Sequence, residues 1–375
     1  MKCKAGPFGR RAHFVICAWL LAASLVSGCD SQPAPSPKSG ASTTSTQAPS
    51  KMARIGFMAP DDPDPRLSGA RSFLQGMEEH GWVERRNLTI EYRYTGSNPD
   101  LVRASAEDLV RLGVDVIVTA GTVRTEAAQK ATSSIPIVMT NSGDPVGSGF
   151  VKSLARPGGN ITGMSLLAPG LAAKRLVLLK ETIPSIRRIL VLWNPDNSSA
   201  EAGLRETAAA AAASNIQVVA RRVRAPEELA AALQTAKSER VGAIVPLGDQ
   251  LFFAQRAEIT RFAREHRMAT VHDLRPYIVA GGLMSYGPSL PDLYRRSATH
   301  VDKILRGANP AELPVEQPSQ FILVLNLETA RDLGVTVPDS IALQVTEFLG
   351  TNAAREPRPT SAPRAATPGA RSGDK

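Results

Sequence analysis

The sequence predicts an α/β protein made of two doubly wound, parallel-sheet lobes. From residue 52 onward, short apolar segments of strand length alternate with amphipathic segments of about 10–15 residues, which is typical of parallel sheets with helices on both faces. The alternation contains more units than one small sheet needs, and it restarts near Arg188. A chain of 375 residues is long enough for two domains of about 100–200 residues each.

The first lobe begins with strands and helices in strict order. Gly81 and Gly113 each follow a helical segment, where glycine commonly ends a helix. The predicted strands are residues 54–58, 88–94, 114–119 and 135–140, and the predicted helices are residues 67–80, 101–112 and 122–132.

The second half repeats the pattern. Pro226 precedes one of its helical segments, a position that proline favours. The predicted helices are residues 174–183, 200–214, 227–238, 251–266 and 290–305, and the predicted strands are residues 188–193, 216–223, 243–246, 269–272, 283–286 and 321–326.

The N-terminus has the features of an export signal. Residues 1–13 contain four basic residues, and residues 14–26 are an apolar run that is too short to span a bilayer but has the length of a signal-peptide core. The run ends in Leu25-Val26-Ser27-Gly28-Cys29. This resembles the bacterial lipobox, which implies that residues 1–28 are removed and that Cys29 is lipidated. An ordinary signal peptide cut near the same place is the alternative.

Two segments outside the predicted lobes are rich in small and polar residues. Residues 29–51 and 351–375 contain mainly Ser, Pro, Thr, Ala and Gly with Arg, a composition that buries too little apolar surface to fold. We predict a disordered tether and a disordered tail. The mature chain would keep Cys29 as its single cysteine, so we expect no disulfide within it.

Composition and motifs exclude several functions. The formal charge is +9, but residues 52–350 have a net charge of only +1 and no basic stripe with interleaved aromatics, so we expect no nucleic-acid partner. The chain has no dinucleotide fingerprint, Walker A loop or nucleophile elbow, and none of its five histidines has metal-ligand spacing. We therefore predict a non-enzymatic protein without cofactor or metal.

Polar and turn-forming residues follow the predicted strands. Ligands of open α/β sheets bind at the carboxyl ends of the strands, and two facing sheets form a cleft there. The strand-end segments include Asn141, Gly248, His272 and Asp273. The residues we predict to bind a ligand are Pro60, Asp61, Gly121, Thr122, Asp144, Pro145, Asn194, Asn197, Asp249 and Tyr286.

Several of these residues have a structural alternative. Thr122 is either an ordinary helix N-cap or, with the free N–H groups of the helix start, a carboxylate-binding group. Asp144-Pro145 is either a turn or, with Asp249, a source of negative charge for a ligand amine; a general acid/base pair is a third possibility. Tyr286 either packs in a hinge or lines the cleft.

A string of residues in the same order also resembles a known family. It comprises Gly121-Thr122, Ile135-Pro136-Ile137-Val138, Gly143-Asp144-Pro145-Val146 and Arg156-Pro157-Gly158-Gly159-Asn160, followed by Gly281-Gly282-Leu283-Met284-Ser285-Tyr286-Gly287 and Leu313-Pro314-Val315-Glu316-Gln317-Pro318. Over residues 52–350 the chain resembles ABC-transporter substrate-binding proteins of the tryptophan/tyrosine-binding type. It departs from their pattern at residues 344–348, so the resemblance does not predict the last strand.

The resemblance implies a type I periplasmic-binding-protein fold, with two Rossmann-like lobes, a three-stranded hinge and a ligand closed between them. We expect lobe 1 at residues 52–161 plus 284–318, lobe 2 at residues 162–283 plus 319–350, and crossings near 161–165, 283–286 and 316–320. The protein would be an extracytoplasmic monomer that delivers an amino acid or related small solute to an ABC permease and ATPase. It would be anchored to the cell (inner) membrane through Cys29, on the periplasmic side if the organism is Gram-negative. A periplasmic enzyme or sensory ligand-binding protein on the same fold is the alternative.

Overall fold

A computed structural model describes residues 52–60, 69–166 and 168–350 of the chain; Cys29, Asp61 and the predicted tether and tail lie outside these residues. Both sheets belong to one compact unit of the chain. The first sheet contains β1 (Ala53–Ala59), β2 (Leu88–Tyr94), β3 (Val116–Thr119), β4 (Ile137–Ser142) and β5 (Ile161–Ser165), with α1 (Gly69–Glu79), α2 (Pro99–Arg111) and α3 (Thr122–Ala131) between its strands.

The second sheet contains the remaining seven strands. They are β6 (Arg188–Trp193), β7 (Gln217–Arg222), β8 (Ala243–Pro246), β9 (Ala269–His272), β10 (Met284–Pro288), β11 (Phe321–Asn326) and β12 (Glu347–Leu349). The helices that follow β5 in the chain are α4 (Ala168–Thr182), α5 (Ala200–Ala213), α6 (Pro226–Ser238), α7 (Gln250–Ala254), α8 (Arg256–Glu265), α9 (Arg275–Val279), α10 (Leu290–Leu305), a 3₁₀ turn (Pro310–Glu312), α11 (Leu327–Asp332) and α12 (Asp339–Ala342).

The five-stranded sheet is parallel and has the order β2-β1-β3-β4-β5. Alternate residues of its strands point to opposite faces, so one strand contributes to two cores. Phe57 packs with α1 and α10 on one face, whereas Met58 packs with α2 and α3 on the other. Helix α10 therefore covers the first sheet, although it follows β10 of the second sheet in the chain.

The seven-stranded sheet repeats that strand order. Its parallel part runs β7-β6-β8-β9-β10, which corresponds to the order of the first sheet, and β11 then pairs antiparallel to β10, with β12 parallel to β11. In each sheet the connections reverse direction between two neighbouring strands, β1 and β3 in one and β6 and β8 in the other. Such switch points are where doubly wound sheets bind ligands, because the loops there diverge and leave a crevice.

Strand pairing shows which lobe contains each segment near the predicted chain crossings. Residues 284–288 were expected in lobe 1, but β10 pairs with β11 over its whole length and with β9 at Met284 and Ser285, so it belongs to the second sheet. Likewise β5 (161–165) lies wholly in the first sheet, paired with β4. We call the described residues up to 165, together with α10 and the 3₁₀ turn, lobe 1, and the rest of the described chain lobe 2. None of the described helices is both long and apolar enough to span a membrane.

Two details of the second half also differ from the sequence prediction. The helix expected over 251–266 is two helices, α7 and α8, which meet at Gln255 (φ −91°, ψ 13°). The short helices α9, α11 and α12 were not predicted, because four to six residues are too few for a hydrophobic period to be visible.

Candidate functional site

A cleft of about 280 Å³ lies between the two switch points. It is close to the lower end of the range of about 300–1,000 Å³ that is typical of small-molecule sites. Lobe 1 lines it with residues after β1 and β3, and lobe 2 lines it with residues after β6, β8 and β9. Of the residues predicted to bind a ligand, those among the cleft lining are Pro60, Gly121, Thr122, Asn197 and Asp249.

The N-terminus of α3 forms part of the lobe 1 wall. The helix begins at Thr122, and no side chain caps it: Gly121 occupies the N-cap position with φ 88°, a conformation that favours glycine. The Thr122 hydroxyl accepts from Gly143 N at 3.1 Å, and Asn141 Oδ1 accepts from Gly121 N at 2.8 Å. The first N–H groups of a helix lack an intrahelical partner and lie at the positive end of its dipole, so this wall attracts an anion.

Arg124 adds a full positive charge to this wall. Its side chain is buried and lines the cleft. The guanidinium is held by Thr95 Oγ1, which accepts from Nε at 2.9 Å, and by the carbonyl oxygens of Ala120 and Gly96. These bonds fix the group in place, and its positive charge opposes the rise in the pKa of Asp249 that burial causes.

Asp249 on lobe 2 is held by its neighbours. It is the N-cap of α7: its Oδ1 accepts from Leu251 N at 2.8 Å, its Oδ2 accepts from Asn197 Nδ2 at 2.8 Å, and Asn194 Nδ2 lies 3.4 Å from both oxygens. Burial raises the pKa of this carboxyl, and the hydrogen bonds and the charge of Arg124 oppose that rise. Asn194 is not part of the cleft lining, but its contact with the Asp249 carboxylate helps to hold that group in place.

Asp273 is a second carboxyl of the lobe 2 wall. Burial raises its pKa, while the positive charge of Arg175 and the N–H groups of residues 273 and 274 oppose this rise. Arg175 is itself buried, donates from Nε to the Tyr286 carbonyl at 2.7 Å, and has a pKa lowered by burial. The site prediction omitted Asp273, although it directly follows β9 at a strand end.

Three predicted residues lie elsewhere. The Asp144 carboxylate accepts from Gly147 N at 2.9 Å, and the Pro145 carbonyl accepts from Phe150 N at 2.9 Å, so these two form a turn after β4 that is not part of the cleft lining. The Tyr286 ring stacks on Phe321, 5.9 Å between ring centres, beside the lobe 2 core. The contacts of Asp144 and Pro145 are those of a turn, whereas the contact of Tyr286 lies within the lobe 2 sheet.

Aromatic side chains line both walls, and the sequence prediction missed them. Lobe 1 contributes Tyr94 and Tyr294, and lobe 2 contributes Phe253 and Tyr277. Tyr94 stacks on Tyr92 at 5.9 Å, and Phe253 meets Tyr277 edge to face at 5.9 Å. Phe253 lies in the helix after β8, so following each strand one turn into the next helix would have found it. The part of the chain that the structure describes contains no group of three or more side chains suited to a metal ion.

Comparison with known proteins identifies relatives of this architecture. The chain is similar to the tyrosine-binding protein of Clostridioides difficile (strain R20291), with 24% identity over 320 residues that cover 85% of this chain and 91% of that protein. Among solved structures, it is similar to a conserved domain protein from Vibrio cholerae (27% identity, TM-score 0.75), covering 80% of this chain and all of that one. It is also similar to the ABC domain in complex with L-Trp from Streptococcus pneumonia (25% identity, TM-score 0.74), covering 79% and 99%.

These findings confirm the fold and the kind of protein that the sequence predicted. Two parallel α/β lobes with a cleft at their switch points are the architecture of type I periplasmic binding proteins. Proteins of this kind bind the substrate of an ABC transporter and are not enzymes. The family of ABC transporter substrate binding proteins matches residues 56–348, most of the chain, and this protein belongs to that family.

Proposed function

We propose that the protein captures an L-amino acid with an aromatic side chain in the cleft and delivers it to an ABC importer. The observation that supports this most directly is the charge arrangement across the cleft. Lobe 1 offers the α3 N-terminus and Arg124, whereas lobe 2 offers Asp249 and Asp273. An amino-acid zwitterion has one charge of each sign on the same carbon, so it would satisfy both walls at once.

The α-carboxylate belongs to lobe 1 in this proposal. The uncapped N–H groups at the start of α3 would donate to it, together with the Thr122 hydroxyl. Thr122 is buried and its oxygen already accepts from Gly143 N, so its hydroxyl hydrogen is the group that can turn toward a ligand. Charge-assisted hydrogen bonds of this type are about twice as strong as neutral ones.

The α-ammonium belongs to lobe 2, with Asp273 as its main acceptor. Asp249 already accepts from three protein donors, which leaves fewer lone pairs for a ligand. The positive charge of Arg175 acts on Asp273, while its Nε donates to the Tyr286 carbonyl. An ammonium group in the cleft would offset the desolvation that raises the pKa of both carboxyls.

The aromatic wall and the relatives support an aromatic side chain. Tyr94, Tyr294, Phe253 and Tyr277 surround the cleft, and aromatic pairs add about 0.5–1.5 kcal/mol beyond the burial of their area. One relative is named a tyrosine-binding protein, and a related structure contains L-Trp.

Delivery requires export and closure. The lipobox supports an anchor at Cys29, with residues 30–51 as the tether. The lobes, as the strands divide them, are joined after β5, after β10 and through residues 316–320, where Arg296 pairs with Glu316. Ligand that contacts both walls would favour the closed arrangement by its differential affinity.

The test is a thermal-shift screen of the purified mature protein against the twenty amino acids. A ligand present at 100 times its dissociation constant should stabilise the protein by about 2.7 kcal/mol. We expect tyrosine, tryptophan or phenylalanine to give the largest shift, and calorimetry should then show one site per chain. If no amino acid shifts the transition while another class of solute does, the proposed ligand class is wrong.

A further inference from the structure

Arg256 is a cleft residue that the zwitterion does not use. It is the first residue of α8, is half-buried, and lines the cleft beside Phe253. Its Nη1 donates to the Phe253 carbonyl at 2.9 Å, and its guanidinium carbon lies 4.7 Å from the centre of the Phe253 ring. These two contacts hold the guanidinium on the aromatic wall of lobe 2.

Most of the hydrogen-bonding capacity of Arg256 remains unused. A guanidinium has five N–H donors and no acceptor. Within the described part of the chain, Arg256 donates to one carbonyl oxygen and forms no ion pair with a carboxylate. A ligand that packs against Phe253 would displace water from these donors, and leaving a charged donor unsatisfied in a closed cleft is costly.

Among the described residues that line the cleft, basic groups outnumber acidic ones. They include three guanidinium groups, Arg71, Arg124 and Arg256, and two carboxyl groups, Asp249 and Asp273. A side chain with a hydrogen-bond acceptor at its far end fits this surplus, whereas a cationic side chain does not.

We infer that Arg256 selects aromatic amino acids that present a hydrogen-bond acceptor at the end of the ring, and so favours a phenol over an indole or a plain phenyl ring. This inference rests on the proposed function. The phenol oxygen of tyrosine can accept from Arg256, whereas the indole nitrogen of tryptophan only donates and phenylalanine has no polar atom on its ring. A site built to hydrogen-bond a substrate hydroxyl discriminates strongly against analogues that lack one.

The test compares L-tyrosine, L-tryptophan and L-phenylalanine by calorimetry on wild-type protein and on Arg256→Met. Methionine keeps a flexible, partly apolar chain beside Phe253 but removes every donor. We expect wild type to bind tyrosine at least ~10-fold more tightly than the other two. Arg256→Met should weaken the binding of tyrosine ~10- to 100-fold and that of phenylalanine by less than ~3-fold, so that the preference for tyrosine disappears.

Arg261→Met is the matched control. Arg261 lies on the same helix, is exposed, pairs with Glu265 and is not part of the cleft lining. It should leave all three affinities unchanged. Arg256→Lys, which keeps a donor, should retain part of the preference for tyrosine.

The outcomes separate the two proposals. If aromatic amino acids bind but wild type prefers tryptophan or phenylalanine, or if Arg256→Met weakens tyrosine and phenylalanine equally, the role of Arg256 is wrong and the proposed function stands. If none of the three binds, both proposals fail.

Discussion

Gly143 of lobe 1 and Ser199 of lobe 2 meet across the cleft so closely that a methyl group on the Gly143 Cα would lie 2.6 Å from Ser199 Oγ. Ser199 cannot easily move away, because its hydroxyl and its backbone N–H both donate to Asn197 Oδ1, at 2.8 and 3.1 Å. Nearby, Ser198 Oγ donates to Ser148 Oγ at 2.9 Å, again between the lobes. The lobes are therefore in contact, and the Gly143 position tolerates no side chain in this arrangement.

Gly143→Ala should therefore disfavour the closed form. Overpacking of this kind costs about 1–3 kcal/mol, so we expect ligand affinity to fall ~10- to 100-fold. Small-angle scattering should show that saturating ligand reduces the radius of gyration of wild type. The variant should need correspondingly more ligand to reach the same compaction.

Gly159→Ala is the control for this experiment, because Gly159 is exposed on lobe 1 and a methyl group there would meet no atom within 4 Å. It should bind and compact like wild type. If Gly143→Ala also binds and compacts like wild type, closure does not bring Gly143 against Ser199.

The limits of several elements can be predicted from the local sequence alone. Strands β2, β6, β8, β9 and β11 and helix α10 have the predicted limits. The short strand β10 was assigned to the wrong lobe, because five residues contain no sign of which sheet they pair with. Hydrogen-bond partners are a long-range property, and Met284 pairs with Leu325, forty-one positions away.

The sequence predicts only part of the candidate site. The strand-end rule identified Thr122 and Asp249, because backbone geometry alone brings the carboxyl ends of parallel strands to one edge. It could not separate Asp249 from Asp144, since only tertiary contacts show that one lines the cleft and the other bonds to its own turn. The rule also did not predict Arg124 and Phe253, because their place in the cleft depends on which way the first side chains of α3 and α7 point.

Asp273→Asn should weaken amino-acid binding more than Asp144→Asn. Removing the charge of Asp273 deletes a charge-assisted bond to the ligand ammonium, so we expect a ~10- to 100-fold loss by calorimetry. Asp144→Asn keeps an oxygen that can accept from Gly147 N, and we expect less than a twofold change. Equal affinities for wild type and Asp273→Asn, with the variant folded, would exclude this carboxylate as the ammonium site.

Cys29→Ala should abolish the membrane anchor. The lipobox interpretation requires a thiol at this position for lipid attachment and for cleavage before it. We expect the variant to accumulate as an unprocessed or soluble form, measured by fractionation and by the mass of the mature protein. Ser27→Ala retains a small residue within the box and should mature normally. A variant without Cys29 that fractionates and matures like wild type would instead indicate an ordinary signal peptide.

His272 should make the protein less stable in mild acid. The ring is buried behind the cleft and stacks on Tyr277 with 4.0 Å between ring centres; neither ring nitrogen has a hydrogen-bond partner among the described residues. Burial, together with the charge of Arg175, lowers the pKa of His272 from 6.5 to about 3. Between these two values the unfolded chain binds a proton that the folded chain does not, so stability is present above about pH 6.5 and is lost as the pH falls toward 3.

The measurement is urea unfolding of wild type and His272→Phe at pH 7.5 and pH 5. Linkage predicts that, because of His272, the free energy of unfolding of wild type is about 2 kcal/mol lower at pH 5 than at pH 7.5. Phenylalanine keeps the aromatic stack with Tyr277 and has no ring nitrogen that needs a hydrogen bond, so the variant should fold at pH 7.5. It should not lose this stability at pH 5. Every other titratable group is the same in both proteins, so the difference between wild type and variant isolates His272. If His272→Phe loses as much stability as wild type at pH 5, then the folded protein protonates His272 as readily as the unfolded chain does, and its burial does not produce the acid sensitivity.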